Sequence, residues 1–316
     1  MRIGQLLLVL IVVVALGLAQ TPKSPTFSWT RMIWHSASVG GRSVEHAALM
    51  VEIQLDGMDT PAIMQLDLGS DATMVYGVPY TQLRRNDTAV GQNLVSLSGV
   101  LANCRFQGER FHVRADFGDP ITPGKPISLG TVGLDFFTQR ILVLDFVRQR
   151  LAVLNKGVDL PPAVQHQIDV TPIETRNGKM FVAVTLNGRE ERGLFYDTGS
   201  SLFSLMTTRN RWCELTGRRP DDPANDVWTI KSWGKDAPLI GAPMKGELCV
   251  ARACISDPLV YFESSGLEGL DFDRYPYKTS GLFGNVPFDG RYTVVVDVPH
   301  GRFGLVAGSI ADPAAK

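Results

Sequence analysis

Residues 182–200 read VAVTLNGREERGLFYDTGS, and residues 51–70 read VEIQLDGMDTPAIMQLDLGS. Both open on the alternating pattern of a half-buried strand. Both reach a turn dipeptide, Asn187-Gly188 or Asp56-Gly57, the preferred chemistry of a tight hairpin. Both return through an apolar strand, Gly193–Tyr196 or Ala62–Leu66. Both strands end on an aspartate followed by x-Gly-Ser: Asp197-Thr198-Gly199-Ser200 and Asp67-Leu68-Gly69-Ser70.

A second block repeats in the same order. Residues 133–151 read GLDFFTQRILVLDFVRQRL, and residues 284–303 read GNVPFDGRYTVVVDVPHGRF. Each runs from a glycine into a β-rich stretch ending on an aspartate, Ile141–Asp145 or Tyr292–Asp297, with an arginine five residues later. Asp145 and Asp297 read as structural carboxylates that pair with Arg150 and Arg302. Two motifs in register mark an internal duplication, and each copy has the length of a domain rather than of a solenoid unit. The copies span 46–155 and 168–310. Between them, 156–167 contains Leu160-Pro161-Pro162 and reads as a linker, because consecutive prolines continue neither sheet nor helix. The second copy is the longer, and the loop-like stretch 262–280 is the expected site of the excess.

The rest of the chain narrows the class. It has 316 residues, 31 Lys+Arg against 32 Asp+Glu, and a net charge of -1, so it lacks the basic excess of a nucleic-acid binder. The 31 glycines and 19 prolines favour turn-rich β structure. Residues 1–19 have a positive start, an apolar run and small residues at the end, which is the form of a secretory signal cleaved near Ala19–Gln20. An uncleaved membrane anchor is the alternative; otherwise the protein is exported, periplasmic or extracellular. Residues 20–45 form a lead-in. Export permits disulfides among Cys104, Cys213, Cys249 and Cys254. Four cysteines allow three pairings, and a hairpin would bring Cys249 and Cys254 together. No cysteine or histidine cluster calls for a metal.

An Asp-x-Gly-Ser turn holds a carboxylate where glycine permits unusual backbone geometry and the serine hydroxyl is free to donate to it. A pseudo-twofold axis would bring Asp67 and Asp197 face to face. Two carboxyls in contact do not both ionise readily and share a proton. One then serves as base toward water and the other as acid toward a carbonyl.

These residues resemble the aspartic protease family. Phe195-Tyr196-Asp197-Thr198-Gly199-Ser200 is similar to its active-site motif, and Leu66-Asp67-Leu68-Gly69-Ser70 to a variant of it. Gly133-Leu134 and Gly281-Leu282-Phe283-Gly284 resemble the family's second signature, which braces the active-site turn. The resemblance implies an all-β, bilobal fold of two retropepsin-like β-barrels with pseudo-twofold symmetry. It implies a secreted, monomeric endopeptidase with catalytic Asp67 and Asp197, oriented by Gly69, Ser70, Thr198, Gly199 and Ser200. Peptide or protein substrate would lie between the lobes, without metal or cofactor. Two departures support a non-catalytic homologue that binds peptides or proteins. Leu68 replaces the usual threonine, and no tyrosine occurs between Thr81 and Ile127, where a cleft-covering hairpin is expected within 88–113, using Phe106 or Phe111 if any aromatic. Trp228 and Trp233 read as packing residues, with a substrate wall as the alternative.

Overall fold

The computed structural model describes residues 28–39, 41–84, 93–155, 157–275 and 278–310. The expected export signal, 1–19, lies outside them. The first lobe contains strands β1 (Thr30–Arg31), β2 (Ile33–Val39), β3 (Arg42–Leu55), β4 (Ala62–Leu66), β5 (Met74–Tyr76), β6 (Leu94–Leu101), β7 (Cys104–Arg114), β8 (Ser128–Val132), β9 (Ile141–Asp145) and β10 (Arg150–Leu154). The second contains β11 (Asp169–Arg176), β12 (Lys179–Val182), β13 (Val184–Leu186), β14 (Arg189–Glu191), β15 (Leu194–Tyr196), β16 (Leu205–Thr207), β17 (Asp226–Ser232), β18 (Lys235–Pro243), β19 (Glu247–Val250), β20 (Ala253–Ser256), β21 (Leu259–Glu263), β22 (Gly281–Phe283), β23 (Tyr292–Asp297) and β24 (Arg302–Ala307). Helices are few: α1 (Gly77–Leu83), α2 (Pro162–Gln165) and α3 (Arg209–Thr216). The fold is all-β and two-lobed.

The duplication is visible in strand pairing. In the first lobe β4 runs parallel to β8, while β5 lies antiparallel to β8 and parallel to β7. In the second, β15 runs parallel to β22, while β16 lies antiparallel to β22 and parallel to β21. The quoted repeats supply the inward faces. Val51, Ile53 and Leu55 are buried between Glu52 and Gln54, and Val184 and Leu186 are buried on either side of Thr185. Asn187-Gly188 makes the two-residue hairpin between β13 and β14, with both residues at positive φ. Asp56-Gly57 instead opens a longer turn, and pairing resumes at Ile53–Ala62.

One sheet joins the lobes, in the order β1-β10-β9-β23-β24-β11. Its centre is the antiparallel pair β9–β23, where Val143 lies opposite Val295. Asp145 and Asp297 occupy matching strand ends, both inaccessible to solvent. Arg150 Nε donates to Asp145 over 2.9 Å and Arg302 Nε to Asp297 over 2.8 Å, the structural pairing expected of both. Against one face of this sheet, Leu160 and Val164 of the inter-lobe segment pack with Ile141, Val143, Val295 and Val306. Strand β3 begins at Arg42, inside the stretch set apart as a lead-in.

Two expectations are corrected. Phe106 and Phe111 are core residues, so the β6–β7 hairpin is a wall of the first barrel and neither phenylalanine covers the cleft; residues 88–92 of the stretch expected to hold a cover lie outside the described residues. Its turn lies toward the N-terminal strand, where Asn103 Nδ2 donates to the Trp29 carbonyl. The extra length of the second lobe sits mainly in the β17–β18 hairpin; the gap from Glu263 to Gly281 is little longer than that from Arg114 to Ser128. Cys249 and Cys254, opposite one another on β19 and β20, form a disulfide, and Cys104 and Cys213 are free. No helix among the described residues is long and apolar enough to cross a membrane.

Candidate active site

Each aspartate is hung from the end of a strand by the same backbone contacts. Asp67 N donates to Val132 O and Asp197 N to Phe283 O, both over 3.0 Å. Ser70 N and Ser200 N close the turns onto the carbonyls of Asp67 and Asp197. Gly133 and Gly284 then press on the turns. A Cβ at Gly133 would lie 2.6 Å from Ala72 C, and one at Gly284 would lie 1.8 Å from Ser200 O. Only glycine fits either position, which explains the second repeated signature.

The two turns meet across the pseudo-twofold. A Cβ at Gly69 would lie 2.4 Å from Asp197 Cγ, and one at Gly199 would lie 2.7 Å from Asp67 Cγ. Each glycine therefore covers the carboxylate of the opposite lobe, and the two carboxyls are in hydrogen-bonding contact. Loss of water around Asp67 pushes its carboxyl well above the usual range, and the Asp197 charge and hydrogen bond add to the effect. The Lys179 ammonium and the Ser70 N–H act in the opposite sense. Burial and the Asp197 charge also raise Tyr196, and burial raises Tyr76, which Asp67 reaches electrostatically.

The pair is not symmetric. Asp197 Oδ1 accepts from Gly199 N over 2.8 Å, and Oδ2 accepts from the Ser200 hydroxyl over 2.9 Å. Asp67 Oδ1 accepts from Ser70 N over 3.0 Å, but the Ser70 hydroxyl turns away and donates to Ala72 O. The expected orienting role of that hydroxyl is thus absent, and the backbone takes its place. Thr198 braces both lobes: its Oγ1 accepts from Leu68 N over 2.9 Å and donates to Leu66 O over 2.8 Å. Leu68 makes no reciprocal bond and packs wholly in the core. Asn285 secures the second turn by donating to Thr198 O and Ser201 Oγ while accepting from Tyr196 OH. Lys179, Tyr76 and Asn285 carried no local motif; folding brings them to the site.

The β17–β18 hairpin crosses from the second lobe to the first. Its turn residues Trp233 and Gly234 have positive φ, and the Trp233 ring meets Phe117 at 5.9 Å between centroids. Arg114 stacks on both, 4.3 Å from the Phe117 ring and 4.7 Å from the Trp233 ring. Phe117 in turn meets Tyr76 edge-on at 4.7 Å. An aromatic row thus runs from the hairpin tip to the neighbourhood of Asp67. Near the hairpin's base, Arg42 bridges to Asp226 at 3.2 Å and lies over Trp228.

No protein-family model matches the chain, and no curated protein matches it. Solved structures similar to it include conglutin gamma, a basic 7S globulin from lupine seeds, at 13% identity over 90% of this chain and 96% of that one, TM-score 0.46. An aspartic proteinase from Irpex lacteus matches at 11% identity over 85% and 96% of the two chains, TM-score 0.45. Basic 7S globulin from soybean matches at 9% identity over 90% and 95%, TM-score 0.45.

Proposed function

We propose that the chain is an aspartic-type endopeptidase whose Asp67 and Asp197 act as one proton-sharing pair. The observation that carries this reading is the reciprocal burial of each carboxylate under the opposite lobe's glycine. Asp197, whose two oxygens accept from Gly199 N and the Ser200 hydroxyl, takes the base role. Asp67, with its raised proton affinity, holds the shared proton. Asp197 removes a proton from water as the oxygen attacks the peptide carbonyl carbon. Asp67 gives its proton to the carbonyl oxygen. When the C–N bond breaks, Asp197 returns a proton to the leaving nitrogen and Asp67 recovers one from the collapsing diol. Each of Gly69, Ser70, Thr198, Gly199 and Ser200 holds the geometry and none changes protonation.

Extended peptide lies in the cleft between the lobes, beneath the β17–β18 hairpin. One chain carries both half-sites, so a monomer suffices. The Cys249–Cys254 disulfide supports an exported protein. A peptide-binding module without turnover is the second reading, favoured by the one-sided Thr198 brace. Incubating the purified chain with a mixed peptide library from acidic to neutral pH tests the choice. Cleavage by the wild type, lost in Asp67→Asn and in Asp197→Asn, is the expected result. Peptide binding without cleavage at any pH means the binding module.

A further inference from the structure

Lys179 opens β12, directly after the Asn177-Gly178 turn of the β11–β12 hairpin. That turn lies against the first lobe's active-site loop; a Cβ at Gly178 would lie 2.4 Å from Asp71 Cβ. From there Lys179 Nζ donates to the carbonyl of Gly69, the residue that covers Asp197. Its ammonium is 5.8 Å from the ring centroid of Phe195, two residues before Asp197. Lys179 forms no ion pair among the described residues, so its charge is not spent on another carboxylate. In the repeat alignment its counterpart is Ala48, and among the described residues Lys179 is the cation that acts on Asp67. Among the described residues, the other titratable groups that interact with the pair are Tyr76 on β5 and Tyr196 on β15, with Arg114 on β7 acting on Tyr76; Asp71 lies against Gly178.

We propose that Lys179 is a positioning residue for the carboxyl pair: its charge, pinned on the Gly69 carbonyl, holds down the pH at which the pair gives up its shared proton. The inference rests on the aspartic-pair reading for its catalytic meaning, though not for its test. Without a cation, water exclusion and the Asp197 charge would tighten the proton on Asp67 further, and the acid would donate less readily. An opposite charge within a few ångströms favours the ionised form of a carboxyl.

The test titrates the carboxyl groups of the full chain by carbon-13 NMR and, in parallel, records the pH–rate profile. In Lys179→Met and Lys179→Gln, the upper titration step and the alkaline limb should both move up by about one pH unit, a tenfold gain in proton affinity. Lys179→Arg should keep both near wild type. The acid limb should move less. A merely structural lysine would change melting temperature without moving the titration. If the upper step in both neutral variants coincides with wild type, the proposal is overturned. If no variant and no wild type cleaves peptide, the enzyme reading falls, while the NMR titration still decides the role of Lys179.

Discussion

Thr198 bears alone a load that the two repeats would be expected to share. Its hydroxyl ties together Leu68 N and Leu66 O in a fully buried setting. Thr198→Val keeps the shape and strands both backbone groups, at about 1–3 kcal/mol each. The expected outcome is a melting-temperature drop that Thr198→Ser largely avoids, measured by calorimetry. Asp67 makes the opposite prediction. Its folded-state proton affinity is raised, so the folded chain retains a proton that the unfolded chain releases near the ordinary value of 3.8. That contribution is full below 3.8 and drains away as pH rises through the raised value. Asp67→Asn should therefore melt higher than wild type near neutrality, by about 2–4 °C per kcal/mol of relieved repulsion, and the gap should close as pH falls toward 4. A gap independent of pH would count against a proton-sharing pair. Both aspartates were legible in the sequence, because a strand, a glycine and a serine define the turn locally. The Ser70 hydroxyl was not: Ala72 O competes for it successfully. Nor was Lys179, which reaches Gly69 only through packing between lobes.

At the scale of elements, the β17–β18 hairpin is the part the sequence concealed. Its alternating exposure, with Trp228 and Ile230 turned inward and Val227 outward, is the pattern of any half-buried strand. The β6–β7 segment has the same pattern, and its phenylalanines belong to the core. Periodicity identifies a strand and one buried face; it does not say which cavity that face closes. Trp233 at the tip rests on Phe117 and Arg114 of the other lobe, and the hairpin turn makes no hydrogen bond to that lobe among the described residues. The latch is stacking and cation–π attraction, about 0.5–2 kcal/mol. Under the proposed endopeptidase reading, such a latch suits a lid that parts for substrate. Trp233→Ala should loosen it, raising backbone amide exchange over 230–236 and raising KM more than it changes kcat. Amide exchange and KM both unchanged in Trp233→Ala would show that the stack does not hold the hairpin.

On the scale of the whole molecule, a shared sheet and a shared core cluster join the two lobes. The sequence announced two copies with Ile141–Asp145 and Tyr292–Asp297 in matching places. It did not announce that these strands pair with each other, because an alignment of repeats carries no information on contacts between them. Through β9 and β23 a single sheet crosses the boundary, and five residues on each strand are in register. Leu142 and Leu144 share a core cluster with Val294, Val296 and Phe303, so apolar burial also crosses. On the other face, Leu160 and Val164 fix the connecting segment beneath the sheet. Separating the lobes would open these ladder hydrogen bonds and expose both valine-rich faces, at roughly 25 cal/mol for each Å² of apolar surface. Chain connectivity contributes little by comparison. Cutting the exposed stretch between Gly157 and Asp159 should therefore leave the fragments together, eluting at the mass of the intact chain and melting in one transition. Val295→Asp, which puts a charge into the buried face opposite Val143, should part the fragments of the cut chain. Fragments that elute separately without that substitution, or two resolved calorimetric peaks in the intact protein, would mean that the central sheet is a contact between independent domains rather than their common core.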